Sequence, residues 1–233
     1  MQNKFLNTPE EIGHIRKGQD IIDDVYDDIL KWIQEGHTEI EVAEYIRKRF
    51  IELGGEKEAF DTIVAFGSNA AEPHHVPTKR ALKKNELVLV DMGVVVKGMC
   101  SDFTRTFFFG DEIAESVLRV YNIVKNAQEV GISKVIAGVS GMFVDAMVRL
   151  EIKRYLLEEY FVHGTGHGVG KEIHQYPRIG KDSMDELQAN MVVTIEPGIY
   201  FEGEYGIRIE DMVEVGENKR MSRHNTDLIK IVR

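Results

Sequence analysis

Across residues 8–53 the polar and apolar positions follow a helical rhythm that divides into two predicted helices. Thr8-Pro9-Glu10-Glu11 offers a capping hydroxyl, a proline for the first helical position and acids for the first turn, so the first helix runs from there to about Gln34. Glu35-Gly36-His37 interrupts it. The second restarts at Thr38, carries Ile40, Ala43, Ile46, Phe50 and Leu53 near helical spacing, and stops at Gly54-Gly55. The period then shortens. Residues 62–66, 87–96 and 104–109 are apolar, β-branched or aromatic runs bounded by turn formers, and are predicted strands. Residues 113–137 and 143–160 return to helical spacing, and 191–201 and 206–215 to strand. Helices with apolar faces this regular are expected to pack on a sheet.

A repeat lies inside this order. Asn85-Glu86-Leu87-Val88-Leu89-Val90-Asp91 matches Asn190-Met191-Val192-Val193-Thr194-Ile195-Glu196, each an apolar run that ends on an acid, and Gly98 and Gly203 each fall seven residues further on. Each half then supplies a second acid, Asp102 or Glu210. Two such units related by a pseudo-twofold axis would bring four carboxylates together. No linker rich in Pro, Gly or Ser divides the chain, so residues 1–233 are expected to form one domain of two similar halves.

Composition narrows the chemistry. With 233 residues, 43% of them hydrophobic, the chain can bury a substantial core. The 29 Lys and Arg against 39 Asp and Glu give a net charge of −10, which disfavours a nucleic-acid partner and leaves acid to spare for cations. Cys100 is alone and cannot form an internal disulfide, and residues 1–8 lack the basic-then-apolar pattern of a secretory signal, so a cytoplasmic location is expected. No apolar run approaches the ~18 residues of a membrane-spanning helix, which argues against a membrane partner.

Singly, Asp91 and Asp102 read equally well as hydrogen-bonded turn acids, and Glu210 beside Arg208 as a plain salt bridge. The segment His163-Gly164-Thr165-Gly166-His167-Gly168-Val169-Gly170, followed by His174, changes that balance by placing three histidines among small residues. It lacks the glycine spacing of a dinucleotide or phosphate loop. Four acids at equivalent strand ends plus a histidine cluster are most economically a metal site rich in oxygen with one imidazole. His14, His37 and His224 are expected in solvent, Cys100 and Phe107-Phe108-Phe109 in packing, and His75 stays open between substrate contact and structure.

Together, Pro73-His74-His75, Asp91, Ser101-Asp102-Phe103-Thr104-Arg105-Thr106, the His163–His167 motif, Glu196-Pro197-Gly198 and Gly206-Ile207-Arg208-Ile209-Glu210-Asp211 resemble the pita-bread metallopeptidases, nearest the catalytic domain of prolidase and aminopeptidase P. The resemblance implies an α+β pita-bread fold, with a curved antiparallel sheet covered by helices. It implies two divalent ions, manganese first and cobalt, zinc or iron as alternatives. Asp91 would be a bidentate ligand of one ion, His167 and Glu196 ligands of the other, and Asp102 and Glu210 the bridges. Glu196 would also move the proton. His74 would line the substrate pocket, His163 and His174 would hydrogen-bond the scissile peptide, and Arg208 would orient carboxylates.

The activity so implied is hydrolysis of the bond between an amino-terminal residue and proline, with a metal-bridging hydroxide as nucleophile; the partner is then a peptide with proline second. The alternatives are an exopeptidase like methionine aminopeptidase and a non-catalytic peptide-binding pita-bread module; hydrolysis of the creatine type fits less well. Many relatives carry a domain ahead of the catalytic one, whereas here no preceding domain is expected. The oligomeric state stays open, a homodimer included.

Overall fold

The structure, a computed structural model, describes residues 5–233. The first four residues of the segment read as lacking a secretory signal lie outside it. Among the described residues four α-helices and thirteen strands follow one another: α1 (Pro9–Trp32), α2 (Glu39–Glu52), β1 (Lys57–Glu58), β2 (Ile63–Phe66), β3 (Glu86–Met92), β4 (Val94–Val96), β5 (Met99–Cys100), β6 (Phe103–Phe109), α3 (Glu115–Ile132), α4 (Gly141–Lys153), β7 (Gly166–Val169), β8 (Gln175–Ile179), β9 (Val192–Ile195), β10 (Gly198–Phe201), β11 (Tyr205–Arg208), β12 (Asp211–Glu214) and β13 (Lys230–Ile231).

The first two helices begin where their capping residues place them. Thr8 and Thr38 each accept from the backbone three residues on, while Glu11 and Glu41 return the bond, two complete capping boxes. The helix expected over 143–160 is shorter. α4 stops at Lys153, the chain turns through Leu156 with φ of 60°, and a single 3₁₀ turn, Glu158–Tyr160, follows. Its apolar continuation was misleading because Leu156 is 84% exposed and covers no core.

Two four-stranded sheets, ordered β13-β6-β3-β2 and β12-β9-β7-β8, carry the halves, and every pairing within them is antiparallel except β13 with β6. The repeat is real in three dimensions. In one half β3 returns as β6 after the β4–β5 excursion; in the other β9 returns as β12 after the β10–β11 hairpin. Asn85 and Asn190, ahead of the paired strands, share the left-handed conformation with φ of 63° and 68°. An isolated bridge between Thr104 and Glu210 links the halves. Helices α1 and α2 pack Ile22, Val25, Ile46 and Phe50 on Val88, Val90 and Phe107, whereas α3 and α4 cover the other half through Val124, Val148 and Ile207.

β7 and β8 have no counterpart in the sequence prediction. β7 reads Gly-His-Gly-Val, and a Cβ at Gly166 or Gly168 would stand 2.0 Å from the Thr194 carbonyl or 2.3 Å from that of Tyr176. The glycines that hide this strand from a propensity reading are what lets it lie between its neighbours. Among the described residues no helix is long and apolar enough to cross a membrane.

Candidate active site

His74, Asp91, Asp102, His163, His167, His174, Glu196, Arg208 and Glu210 all line one cavity of about 1020 Å³. The two pseudo-symmetric units put them there. Asp91 lies near the end of β3, opposite Thr104, and Asp102 immediately precedes β6. Glu196 follows β9, its N–H donating to the Thr165 carbonyl, and Glu210 stands between β11 and β12, its N–H donating to the Thr104 carbonyl. β7 carries His167 between them.

Donor atoms of Asp102, His167 and Glu210 come within 4.8 Å of one another. His167 Nε2 is 3.6 Å from Asp102 Oδ2 and 3.4 Å from Glu196 Oε1. Its Nδ1 lies 3.1 Å from the Gly168 carbonyl, which can only accept, so Nδ1 carries the proton there. Burial holds the imidazole below its ordinary range, and the neutral ring therefore turns a lone pair on two carboxylates. Nearby, Asp91 Oδ1 and Glu210 Oε1 are buried and receive no hydrogen bond among the described residues. Burial first, then the neighbouring acids, push the Asp102 and Glu210 carboxyls well above the usual carboxylate range. The Glu196 carboxyl is pushed up to about 7, by burial and by Asp91. Converging oxygens, one lone-pair nitrogen and excess negative charge out of water make a donor set suited to divalent cations.

Arg208 is the cation within this cluster, 3% exposed. It does not pair with Glu210, two residues on in sequence. Nη2 donates to Asp91 Oδ2 of the other half at 2.7 Å, Nη1 to the Tyr200 hydroxyl at 2.8 Å and to the Pro73 carbonyl at 3.2 Å, and Nε to Thr104 Oγ1 at 3.3 Å. One planar fork thus ties both halves and the His74 segment together.

The three other histidines differ. His74 and His174 open on the cavity and neither ring makes a hydrogen bond among the described residues; the His174 ring stands edge-on to His167 at 4.4 Å. His163 has both nitrogens engaged, Nδ1 on the Gly164 carbonyl and Nε2 on the Tyr200 hydroxyl, each at 2.8 Å. Burial, then Arg208, push it down to about 3, so it is neutral. His75, also on the cavity wall, is buried and its ring nitrogens are engaged by Glu39 and Glu72. Of the histidines expected in solvent, His37 stacks on Trp32 and His224 reaches the Asp23 carbonyl.

Sequence reasoning assigned no role to Thr104, Tyr200, Asp145 or Arg149. Asp145 accepts from the Thr165 backbone and hydroxyl, while Arg149 donates to Asp145 and to the carbonyls of Phe161 and His163, so α4 anchors the loop that leads into β7. The one available signal was an acid and a base four apart on an otherwise apolar helix face.

The chain is 42% identical over 212 residues to a Mycoplasma pneumoniae protein assigned provisionally as a Xaa-Pro aminopeptidase, a match covering 91% of this chain and 60% of that one. It thus spans about three fifths of the length of the curated relatives it matches. The Xaa-Pro dipeptidase of Bacillus anthracis superposes with a TM-score of 0.95 at 36% identity, over 98% of this chain and 65% of that one. The prolidase of Pyrococcus furiosus superposes with a TM-score of 0.93 at 37% identity, over 96% of this chain and 67% of that one. A model of metallopeptidase family M24 matches residues 13–217, and the chain belongs to that family.

Proposed function

We propose that the protein is a dinuclear-metal exopeptidase that releases an amino-terminal residue from proline. The observation that supports it most directly is the convergence of His167 Nε2 with Asp102, Glu196 and Glu210, in a cavity that Asp91 also lines and where two carboxylate oxygens are buried without a donor among the described residues. Asp91, His167 and Glu196 would each hold one of two ions, manganese by preference, with Asp102 and Glu210 between them. When bound, such ions acidify water and polarise the carbonyl under attack.

The chain's own residues supply the rest. Glu196 has the more open carboxyl, 18% exposed against 5% for Asp102, and lies on the cavity wall, placed to take a proton from water and return it to the leaving nitrogen. A proline nitrogen needs that proton, having no N–H of its own. His74 and His174, with ring nitrogens uncommitted, serve as donors to substrate carbonyls. Arg208 fixes Asp91, and through Thr104 it fixes Glu210. The free amino terminus of a peptide would be held near Asp91 and a metal, which disfavours binding an internal segment of a chain. The single cysteine supports a cytoplasmic setting.

The test joins elemental analysis of protein purified without added metal to turnover of Ala-Pro, Ala-Pro-Ala and Met-Ala-Ala under manganese or cobalt. Cleavage of the two proline peptides with metal bound supports the proposal. Preference for Met-Ala-Ala would assign the protein to a methionine aminopeptidase-like role, and loaded protein that cleaves none of the three would be a binding module. Asp102→Ala or Glu210→Ala should empty the site; two metals per chain retained in Asp102→Ala would refute the ligand assignment.

A further inference from the structure

Glu39, the first residue of α2, is fully buried, yet it touches no residue of the carboxylate cluster. Its carboxylate accepts five hydrogen bonds, all from the segment 66–78. Oε1 receives the Phe66 N–H and the Asn69 side-chain amide, each at 2.9 Å. Oε2 receives His75 Nε2 and the Thr78 N–H at 2.9 Å and the Thr78 hydroxyl at 2.7 Å. The N–H groups of Glu39 and Ile40, left over at the helix start, donate to the carbonyls of Arg80 and Thr78. Burial alone would raise this carboxyl, but the bonds from Thr78, His75 and Phe66 outweigh it and hold Glu39 ionised below its ordinary range.

His75 completes the clamp. Its Nδ1 lies 2.8 Å from Glu72 Oε2, and its Nε2 lies 2.9 Å from Glu39 Oε2 and 3.3 Å from the Asn69 amide nitrogen. Burial would lower the ring, but its bonds to Glu72 and Glu39 outweigh that and hold it above its ordinary range. Its neighbour His74 faces the cavity, and the carbonyl of Pro73 accepts from Arg208. The segment is therefore gripped at two places: Glu39 holds its ends and His75, and Arg208 holds its middle. Between them the chain presents His74 to the site.

We propose that Glu39 is a positioning residue for the reaction, acting through the 66–78 segment to set the place of the His74 imidazole over the carboxylate cluster. The inference rests on the peptidase reading of that cluster. A carboxylate five times hydrogen-bonded would also add stability, so the decisive measurement is coupling to His74.

Glu39→Gln keeps the size and an accepting oxygen but sets an amide NH₂ against donors. It should retain the wild-type metal content while kcat on Ala-Pro falls about tenfold with little change in KM, as expected from a displaced catalytic group. In a His74→Ala background the same substitution should change kcat less than about twofold. In metal-free protein the His74 ring resonances should shift and the amides of Phe66 and Thr78 should exchange faster. Should Glu39→Gln fold poorly, Thr78→Val, which removes one of the five bonds, takes its place in the cycle. Equal losses of kcat with and without His74 would overturn the proposal, as would unshifted His74 resonances. If loaded wild-type protein cleaves no Xaa-Pro peptide, the functional reading fails, and the resonances alone decide whether Glu39 places His74.

Discussion

The Thr104 hydroxyl donates to Glu210 Oε2 across 2.6 Å, at the bridge where the two halves of the molecule meet. The hydroxyl has one proton to give, and it accepts in turn from Arg208 Nε, so the direction of the bond is fixed. Glu210 Oε2 is thereby committed to the protein, and Oε1, buried without a donor among the described residues, is the oxygen that the proposed function would offer to cations. Thr104→Val keeps the shape and removes the donor. Metal affinity should fall about tenfold, the loss typical of groups that orient a ligand, and Thr104→Ser should restore most of it. Competition with a chromophoric chelator reads the change; unaltered affinity in the valine variant would remove Thr104 from the site.

Gly206 shows how tightly the His74 segment is seated. A Cβ there would meet the Ala70 carbonyl at 1.9 Å and the Tyr200 ring at 2.7 Å. Neither can yield without moving the 3₁₀ turn Gly67–Ala71 or the ring that bonds Arg208. Gly206→Ala should cost at least about 2 kcal/mol, the scale of overpacking in a close-packed interior. The urea midpoint measures it, and a change below about 0.5 kcal/mol, the range of ordinary surface substitutions, would contradict the close approach.

Stability should depend on pH in opposite senses with and without metal. Metal-free, Glu196 releases its proton near 7 rather than 4.5, and Asp102 and Glu210 are raised well above their ordinary values. Between the unfolded and folded values the native state holds protons that the unfolded chain has lost, so stability falls as pH rises through that window. Cations take the place of those protons, so their affinity rises with pH. With chelator present, Tm should be lower near pH 8 than at about pH 5.5, and the increment given by metal should be wider at the higher pH. The lowered His163, His167 and His174 oppose this trend below about pH 6.5, so a metal-free Tm that rises between about pH 6.5 and pH 8 is the result that would refute the raised carboxyls.

Much of this was legible beforehand because it is local or periodic. The capping residues at Thr8 and Thr38 are satisfied within one helical turn, and the repeated runs ending on Asp91 and Glu196 declare two equivalent strands without any knowledge of their partners. What escaped depends on contacts distant in sequence. Glycine hides β7 because the reason for it is the carbonyl of Thr194 on another strand. His74 and His75 both line the cavity, and it is the distant Glu39, with Glu72, that makes His75 an anchor and leaves the His74 ring without a hydrogen bond among the described residues. The same holds for Arg208, whose nearest acid in sequence is not the one it pairs with.

His163 and His174, both expected to bond the scissile peptide, should separate in experiment. Arg208 Nη1 can only donate, so the Tyr200 oxygen accepts from it and the phenolic proton points to His163 Nε2. His163 Nδ1 must then give its proton to the Gly164 carbonyl. The ring has no N–H left for a substrate, and burial prevents it from gaining one by protonation near neutral pH. Under the proposed function His163 would act on the reaction by holding Tyr200, and through it Arg208, while His174 would keep a nitrogen free for the carbonyl under attack. His174→Ala should lower kcat by about 100-fold, the loss of one donor to a developing oxyanion, with metal content unchanged. His163→Ala should cost about tenfold, and Tyr200→Phe about the same; combined, they should cost no more than either alone, because they break one chain of bonds. Kinetics of the three single variants and the His163→Ala/Tyr200→Phe double variant on Ala-Pro decide the matter. If the double variant multiplies the two losses, or His163→Ala proves as damaging as His174→Ala, His163 reaches the substrate directly and the direction inferred for the chain is wrong.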